Sequence, residues 1–269
     1  MLLLFDLPDI LNGAPLSGPF GYQNATGAFF FQASVAGLML AVSAPRALAV
    51  IGVVSAVAFA AVPLASGSIT AGVLVLSLPA LVVARRGPNG ARAAVTTCAV
   101  LVLSALVLTA ALGAAYEPGE RTGALDRLAD ATLTERRLVL WGEALDMMTA
   151  RPLTGIGPGR FDQVSPSALL NVEIRWAHHG FLQQGAETGL PGLVLLVLLF
   201  LWGFARLRLA GPPSAMTGLG AVALAGLGIH ATVDYVLHFA AIPLAAAALV
   251  GAATIPSSKE INGNQDADS

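Results

Sequence analysis

Charge is what this chain has least of. Asp, Glu, Lys and Arg make up 11% of its 269 residues, where a soluble domain carries about 25%. Hydrophobic residues make up 56%, and mean hydropathy is +0.76. So few charges cannot clothe a water-soluble fold of this length. Disorder is excluded by the same figures, because disordered chains are polar and charge-rich. The net charge of −2 supplies no field for nucleic acid. The single cysteine, Cys98, lies in an apolar run; an intrachain disulfide is excluded and a zinc cluster is unsupported. The class that remains is a polytopic membrane protein, an all-α bundle of transmembrane helices.

Each spanning helix needs roughly 20 mostly apolar residues. Seven stretches are candidates: Thr26–Ser43, Ala47–Ala65, Ile69–Ala84, Ala93–Ala115, Leu190–Leu207, Met216–Tyr235 and Val236–Ala253. The third is short, and the last two meet near Tyr235. The segment Met1–Pro8 is not a signal peptide: no basic residue precedes its apolar run, which Asp6 and Pro8 break. The polar stretch Ser257–Ser269 is expected to be disordered. With seven spans, Arg46, Arg85, Arg86, Arg92, Arg206, Arg208 and Lys259 fall on one side, which is the cytoplasm. The long hydrophilic segment from Tyr116 to about His179 then lies outside. It carries seven arginines of its own, but loops above about 60 residues largely escape the charge rule. The expected organisation is an N-terminal bundle of about four spans over 1–115, an extracytoplasmic loop over 116–179, a C-terminal bundle of about three spans over 180–256 and a cytoplasmic tail over 257–269.

A loop this long is normally functional. Thr132-Leu-Thr-Glu135 fits a capping box. Leu138, Trp141, Leu145 and Met148 then recur at helical spacing, with Glu143 and Asp146 off that stripe. Pro152 stops the helix near Ala150. Such a helix can lie on the membrane surface or cover the mouth of the bundle. The alternating glycines of Pro152-Leu-Thr-Gly155-Ile-Gly157-Pro-Gly159-Arg160-Phe161 favour a tight turn over a phosphate cradle, because no strand precedes them and no P-loop lysine follows. Two histidines, His178 and His179, precede a membrane helix near Glu187 and form an acid–base candidate. The alternative is a pair of solvated residues at a loop end. His230, Asp234 and His238 are spaced by four and share one helical face if the helix continues through Tyr235. Ionisable groups there make a functional candidate, with a structural hydrogen-bonded cluster the commoner outcome. Trp141, Trp176 and Trp202 fit interfacial anchoring.

Several of these stretches resemble the O-antigen ligase and polymerase-like superfamily of bacterial membrane glycosyltransferases. Gly18-Pro-Phe-Gly21-Tyr-Gln-Asn24-Ala-Thr-Gly-Ala is similar to the family's Gly-x-Phe-Gly-Asn-x-Asn-x-x-Ala. Arg137-Leu-Val-Leu-Trp141 and the glycine turn resemble its Arg-x-x-x-Trp helix and the turn that follows. His178, nine residues from Gly180 to Thr188, then Gly189 and Gly192 resemble its His-(Asn/Ser/Gln)-x9-Gly-x-x-Gly motif. His179 stands where the family prefers Asn, Ser or Gln. His230 through His238 resembles its His-x-x-x-Asp-x-x-x-His pattern.

The resemblance implies sugar transfer outside the cytoplasmic membrane of a bacterium. The donor is a glycan on an undecaprenyl pyrophosphate carrier. The acceptor is a glycan, a lipid such as lipid A core, or a protein. No metal, cofactor or nucleic acid is implied. His178 would be the catalytic base and Arg137 would hold the pyrophosphate, with Arg136, Arg160 and Arg175 as further cations. His179, Glu187, Gly189, Gly192, His230, Asp234 and His238 would support the site. Where the family carries a Ser-Arg pair at the external start of a span, this chain reads Ala65-Ser66-Gly67-Ser68-Ile69-Thr70, with Ile69 near the arginine's place. The family also has several spans before the Gly-x-Phe-Gly stretch, so a fragment, a shortened gene or a divergent member is expected. A transporter using the His/Asp cluster and a non-catalytic remnant are the competing readings.

Overall fold

The computed structural model describes residues 16–83, 88–116, 135–171, 174–209 and 214–255. Among them the structure is helical, without strands. The helices are α1 (Gln23–Ser43), α2 (Arg46–Ala65), α3 (Ile69–Val83), α4 (Pro88–Ala115), α5 (Glu135–Ala150), α6 (Phe161–Val164), α7 (Pro166–Leu170), α8 (Gly180–Leu209), α9 (Ala215–Ala231) and α10 (Ala241–Thr254). Short 3-10 turns cover Gly18–Phe20 and Val236–His238. The expected capping-box threonine, the segment Met1–Pro8, Arg85, Arg86 and the tail Ser257–Ser269 lie outside the described residues.

Among the described residues four helices are long and apolar enough to cross a membrane: α1, α2, α4 from Gly90, and α8. The other three expected spans correspond to α3, α9 and α10, of 15, 17 and 14 residues. Of these, α9 and α10 are apolar helices shorter than the roughly 20 residues of a straight span. The expected span Met216–Tyr235 is interrupted, since α9 ends at Ala231 and residues 232–240 turn before α10.

The chain forms two compact units. The first comprises residues 1–100, 201–227 and 239–269. Small residues hold it together. A Cβ on Gly37 would stand 2.7 Å from Ala56 N, and one on Gly52 would stand 2.6 Å from Ala41 N, so α1 and α2 touch backbone to backbone. Lipid offers no hydrophobic drive for helix association, and close approach through small residues replaces it. Gln32 of α1 donates to Ala223 O of α9 at 3.0 Å, which satisfies one end of an amide buried in an apolar bundle. Val50, Val53, Val54 and Val57 of α2 face outward, as lipid-facing residues do.

The second unit comprises residues 101–200 and 228–238. Its core joins Leu138, Leu140, Trp141, Ala144 and Met147 of α5 to Phe161, Ala168, Ala177, Leu182 and Ala186. The sequence stripe is thus widened: Leu140 and Ala144 are buried, while Leu145 and Met148 are half-buried. Protein surrounds α5 on more than one side, because α6 and α7 pack beside it as well as α8. Of the two readings of this helix, burial favours the one that seats it on protein. Trp141 is not an interfacial anchor. It is fully buried, closely packed on Gly113, and its indole N–H donates to His178 O at 3.1 Å.

Candidate active site

Two backbone breaks build the site. The first is in α8, at Gly189, with φ 72° and ψ −171°, a region open essentially to glycine alone. The 152–160 turn docks there. Ile156 N–H donates to Ala186 O and Gly157 N–H to Glu187 O, both at 2.9 Å, and Leu190 N–H donates to Pro152 O at 2.7 Å. A Cβ on Gly155 would lie 2.4 Å from Glu187 O, and one on Gly189 would lie 2.6 Å from Pro152 O. Gly192 is equally constrained, since its Cβ would collide with Thr188. Gly155 and Gly189 therefore serve close backbone approach. The N–H groups of Gly155, Ile156, Gly157 and Gly159 are all spent on protein acceptors, so this turn is no phosphate cradle. Glu187 belongs to the same joint: Gly159 N–H donates to its Oε2 at 2.8 Å and Gln183 Nε2 to its Oε1 at 3.0 Å.

The second break follows α9. Here the expectation of one helical face carrying His230, Asp234 and His238 is corrected. Long-range partners claim the backbone that would have continued the helix. Arg137 Nη1 donates to Val233 O at 2.9 Å, and Gly180 N–H donates to Asp234 O at 3.2 Å. The Asp234 carboxylate caps its own neighbour, accepting Tyr235 N–H at 2.7 Å.

Asp234 is the hub. Its side chain is 1% exposed. Oδ2 accepts from Arg137 Nη2 at 3.3 Å, and Oδ1 lies 3.7 Å from His178 Nδ1. The second distance exceeds a hydrogen bond and sits within electrostatic range, and such contacts tighten in a reactive complex. Burial alone would raise the Asp234 carboxyl; His178 and the Arg137 guanidinium outweigh it and hold it down to about 2. It is a carboxylate at any ordinary pH.

His178 has φ 52°, making it the one non-glycine residue with positive φ among the described residues. That conformation is costly for a residue with a Cβ, and it persists where surrounding contacts enforce it. The side chain is 26% exposed, while Nδ1 is buried without a hydrogen bond among the described residues. Nε2 is therefore the nitrogen left to meet another molecule. Tyr235 lies edge-on to the ring at 4.8 Å.

The remaining candidates divide. His230 is buried at the end of α9 with Nδ1 unpartnered among the described residues. His238 packs on Trp176 at 4.0 Å, and this partial burial lowers its pKa. His179 is fully buried and bonded within protein. Arg136, Arg160 and Arg175 are exposed. Arg160 instead lines a separate cleft of about 420 Å³ with Glu143, Asp146 and Arg151. Ile69, near the place of the family's second arginine, is 66% exposed. Among the described residues no three His, Cys, Asp or Glu side chains are placed to share a metal. Sequence reasoning missed Gln183, which accepts from Ala177 N–H at 3.0 Å and holds Glu187, and Thr109, which meets His179. Each is a polar residue in an apolar helix, a signal that was available.

A helical membrane protein with a histidine, a buried carboxylate and a guanidinium gathered at the entry of α8 is the class these observations define. The chain belongs to the O-antigen ligase family, whose family model matches residues 25–197. No match is found among curated proteins. Membership carries glycosyltransferase-like ligase activity. The matched stretch holds Arg137 and His178 and ends within α8, so Asp234 lies beyond it and is joined to them by the fold.

Proposed function

We propose that this protein transfers a glycan from undecaprenyl pyrophosphate to an acceptor hydroxyl at the extracytoplasmic face of a bacterial inner membrane. The observation that carries the reading is His178 itself, with Nδ1 buried and turned to the Asp234 carboxylate and the side chain 26% exposed. A carboxylate at Nδ1 favours the tautomer whose Nε2 is the base, and it stabilises the imidazolium that forms. Nε2 accepts the acceptor's hydroxyl proton. The acceptor oxygen bonds to the donor sugar's anomeric carbon while the bond from that carbon to the phosphate oxygen breaks. The electron pair leaves with undecaprenyl pyrophosphate.

Two of the five N–H groups of a guanidinium are committed to Val233 O and Asp234. The side chain is 22% exposed, so its remaining donors can meet the leaving diphosphate, for which planar bidentate hydrogen bonds suit arginine. A lysine in its place would not reproduce this. Arg136, Arg160 and Arg175 are exposed cations of the same segment and can add to the attraction. The acceptor is another carrier-bound glycan, a lipid or a protein. The break in α8 is filled by the 152–160 turn rather than left to a solute, which weighs against a transporter. The distribution of Lys and Arg supports placing the 116–179 segment outside.

The test is surface glycan assembly in cells expressing His178→Ala or Arg137→Ala at wild-type protein level. Loss in both variants is expected; assembly retained in both removes the proposal.

A further inference from the structure

Two consecutive histidines occupy opposite surroundings: the His178 side chain is 26% exposed and His179 is 0% exposed. His179 stands immediately before α8, where four backbone N–H groups lack helical partners. Its Nδ1 accepts Leu182 N–H at 3.2 Å. That is the bond an N-cap Asn, Asp, Ser or Thr makes to the third helical residue. A ring nitrogen that accepts a backbone N–H carries no hydrogen, so the neutral ring's hydrogen is on Nε2. Nε2 lies 2.9 Å from Thr109 Oγ1. The Thr109 hydroxyl hydrogen is already given to Ala105 O at 2.7 Å. The bonds therefore run one way: Leu182 N–H to His179 Nδ1, His179 Nε2–H to Thr109 Oγ1, Thr109 O–H to Ala105 O. A second ring proton would set Nδ1–H against Leu182 N–H. Burial acts in the same direction, pushing the ring's pKa down to about 3.

The same residues grip the backbone on either side of the ring. Trp141 lies edge-on to His179 at 5.2 Å while its indole N–H holds His178 O at 3.1 Å. Gly180 N–H holds Asp234 O at 3.2 Å. Between these anchors His178 takes its left-handed φ of 52°.

We infer that His179 is a positioning residue: a permanently neutral Nε2–H imidazole that caps α8 and fixes the strained backbone from which His178 is presented. The inference rests on the reading of His178 as the base. Nδ1 supplies the cap to α8 and Nε2 adds a tie to α4.

The 269-residue chain, labelled with ¹⁵N-histidine in lipid nanodiscs, tests this directly, because it has four histidines. The His179 signal, assigned by its loss in His179→Asn, is expected to remain neutral and Nε2-protonated from pH 8 to pH 5. With undecaprenyl-pyrophosphate-linked glycan as donor, His179→Asn is expected to keep transfer within about tenfold of wild type, because Asn caps. His179→Ala is expected to lose roughly a hundredfold through misplacement of His178, with the pH profile of the remaining activity unshifted. Protonation of His179 in that window, or His179→Asn as inactive as His178→Ala, would overturn the inference. Full transfer in His178→Ala beside an unchanged His179 tautomer would instead overturn the base assignment and leave the capping tautomer standing.

Discussion

Before Gly189, α8 buries Phe181, Leu182, Gln183, Ala186 and Glu187 in protein; after it, Val194, Leu195, Leu198, Leu199 and Trp202 are half or more exposed. The first stretch is polar for a membrane helix and gives each polar group a protein partner. The second is apolar: it buries Phe200, Phe204 and Leu207 on one side and offers apolar surface on the other. Position along one helix therefore separates two kinds of stability. Toward the site it comes from directional bonds and backbone contact, and away from it from apolar surface suited to lipid. Chemistry can be held only in the first, because a base must be fixed within a few tenths of an ångström.

Substitutions on the two sides of Gly189 should differ in size accordingly. The largest effect on stability belongs to the boundary. Gly189→Ala forces a Cβ to 2.6 Å from Pro152 O at a φ of 72°, and a loss of about 3 kcal/mol or more is expected by thermal unfolding in detergent. A loss under about 1 kcal/mol would mean the turn does not dock as described. Asp234→Asn comes next. Transfer should fall roughly a hundredfold or more, because the charge that orients His178 is gone.

Stability should report the same carboxylate. Its pKa is depressed in the fold, so its contribution is full above the ordinary carboxylate value and fades as pH falls toward 2. The Tm difference between wild type and Asp234→Asn should be flat from about pH 5 to 8 and shrink below about pH 4; a difference growing in acid would contradict the pairing. His179 titrates with the same direction of effect in a higher window. Burial holds its folded pKa below the ordinary imidazole value of 6.5, at about 3, so the unfolded chain binds the extra proton between these values. Wild-type stability should rise with pH across that window more steeply than that of His179→Asn. Glu187→Gln, which puts an NH2 group against one of two donors, should cost about 1–2 kcal/mol by unfolding. Leu195→Ala, on the outward face of the second stretch, should change stability by less than about 0.5 kcal/mol. Equal costs for these last two would erase the contrast.

Hydropathy read the second stretch and passed over the first. The span expected from Leu190 begins where α8 resumes after the break at Gly189; the stretch from Gly180 was not read as part of it, because Gln183, Gln184 and Glu187 depress an apolar average even when protein satisfies them. Local signals worked where local physics decides: α4 ends at Ala115, just before Tyr116, and α5 ends at Ala150, two residues before Pro152. The end of α9 was not legible, since Arg137 and Gly180 bind the 233–234 backbone from far along the chain. His178 and Arg137 were named through the family's motifs. Their meeting at Asp234 and the division of labour between His178 and His179 required the fold. Trp141 was read as an anchor because an indole on an apolar stripe looks the same whether lipid or a backbone carbonyl waits for it.

Purified protein supplied with undecaprenyl-pyrophosphate-linked glycan and a hydroxyl acceptor gives the most direct measurement: the single-turnover rate of carrier release in wild type and in His178→Ala. A drop of about 10²–10⁴-fold with unchanged donor binding is predicted. Equal rates in the two proteins would contradict a base at His178.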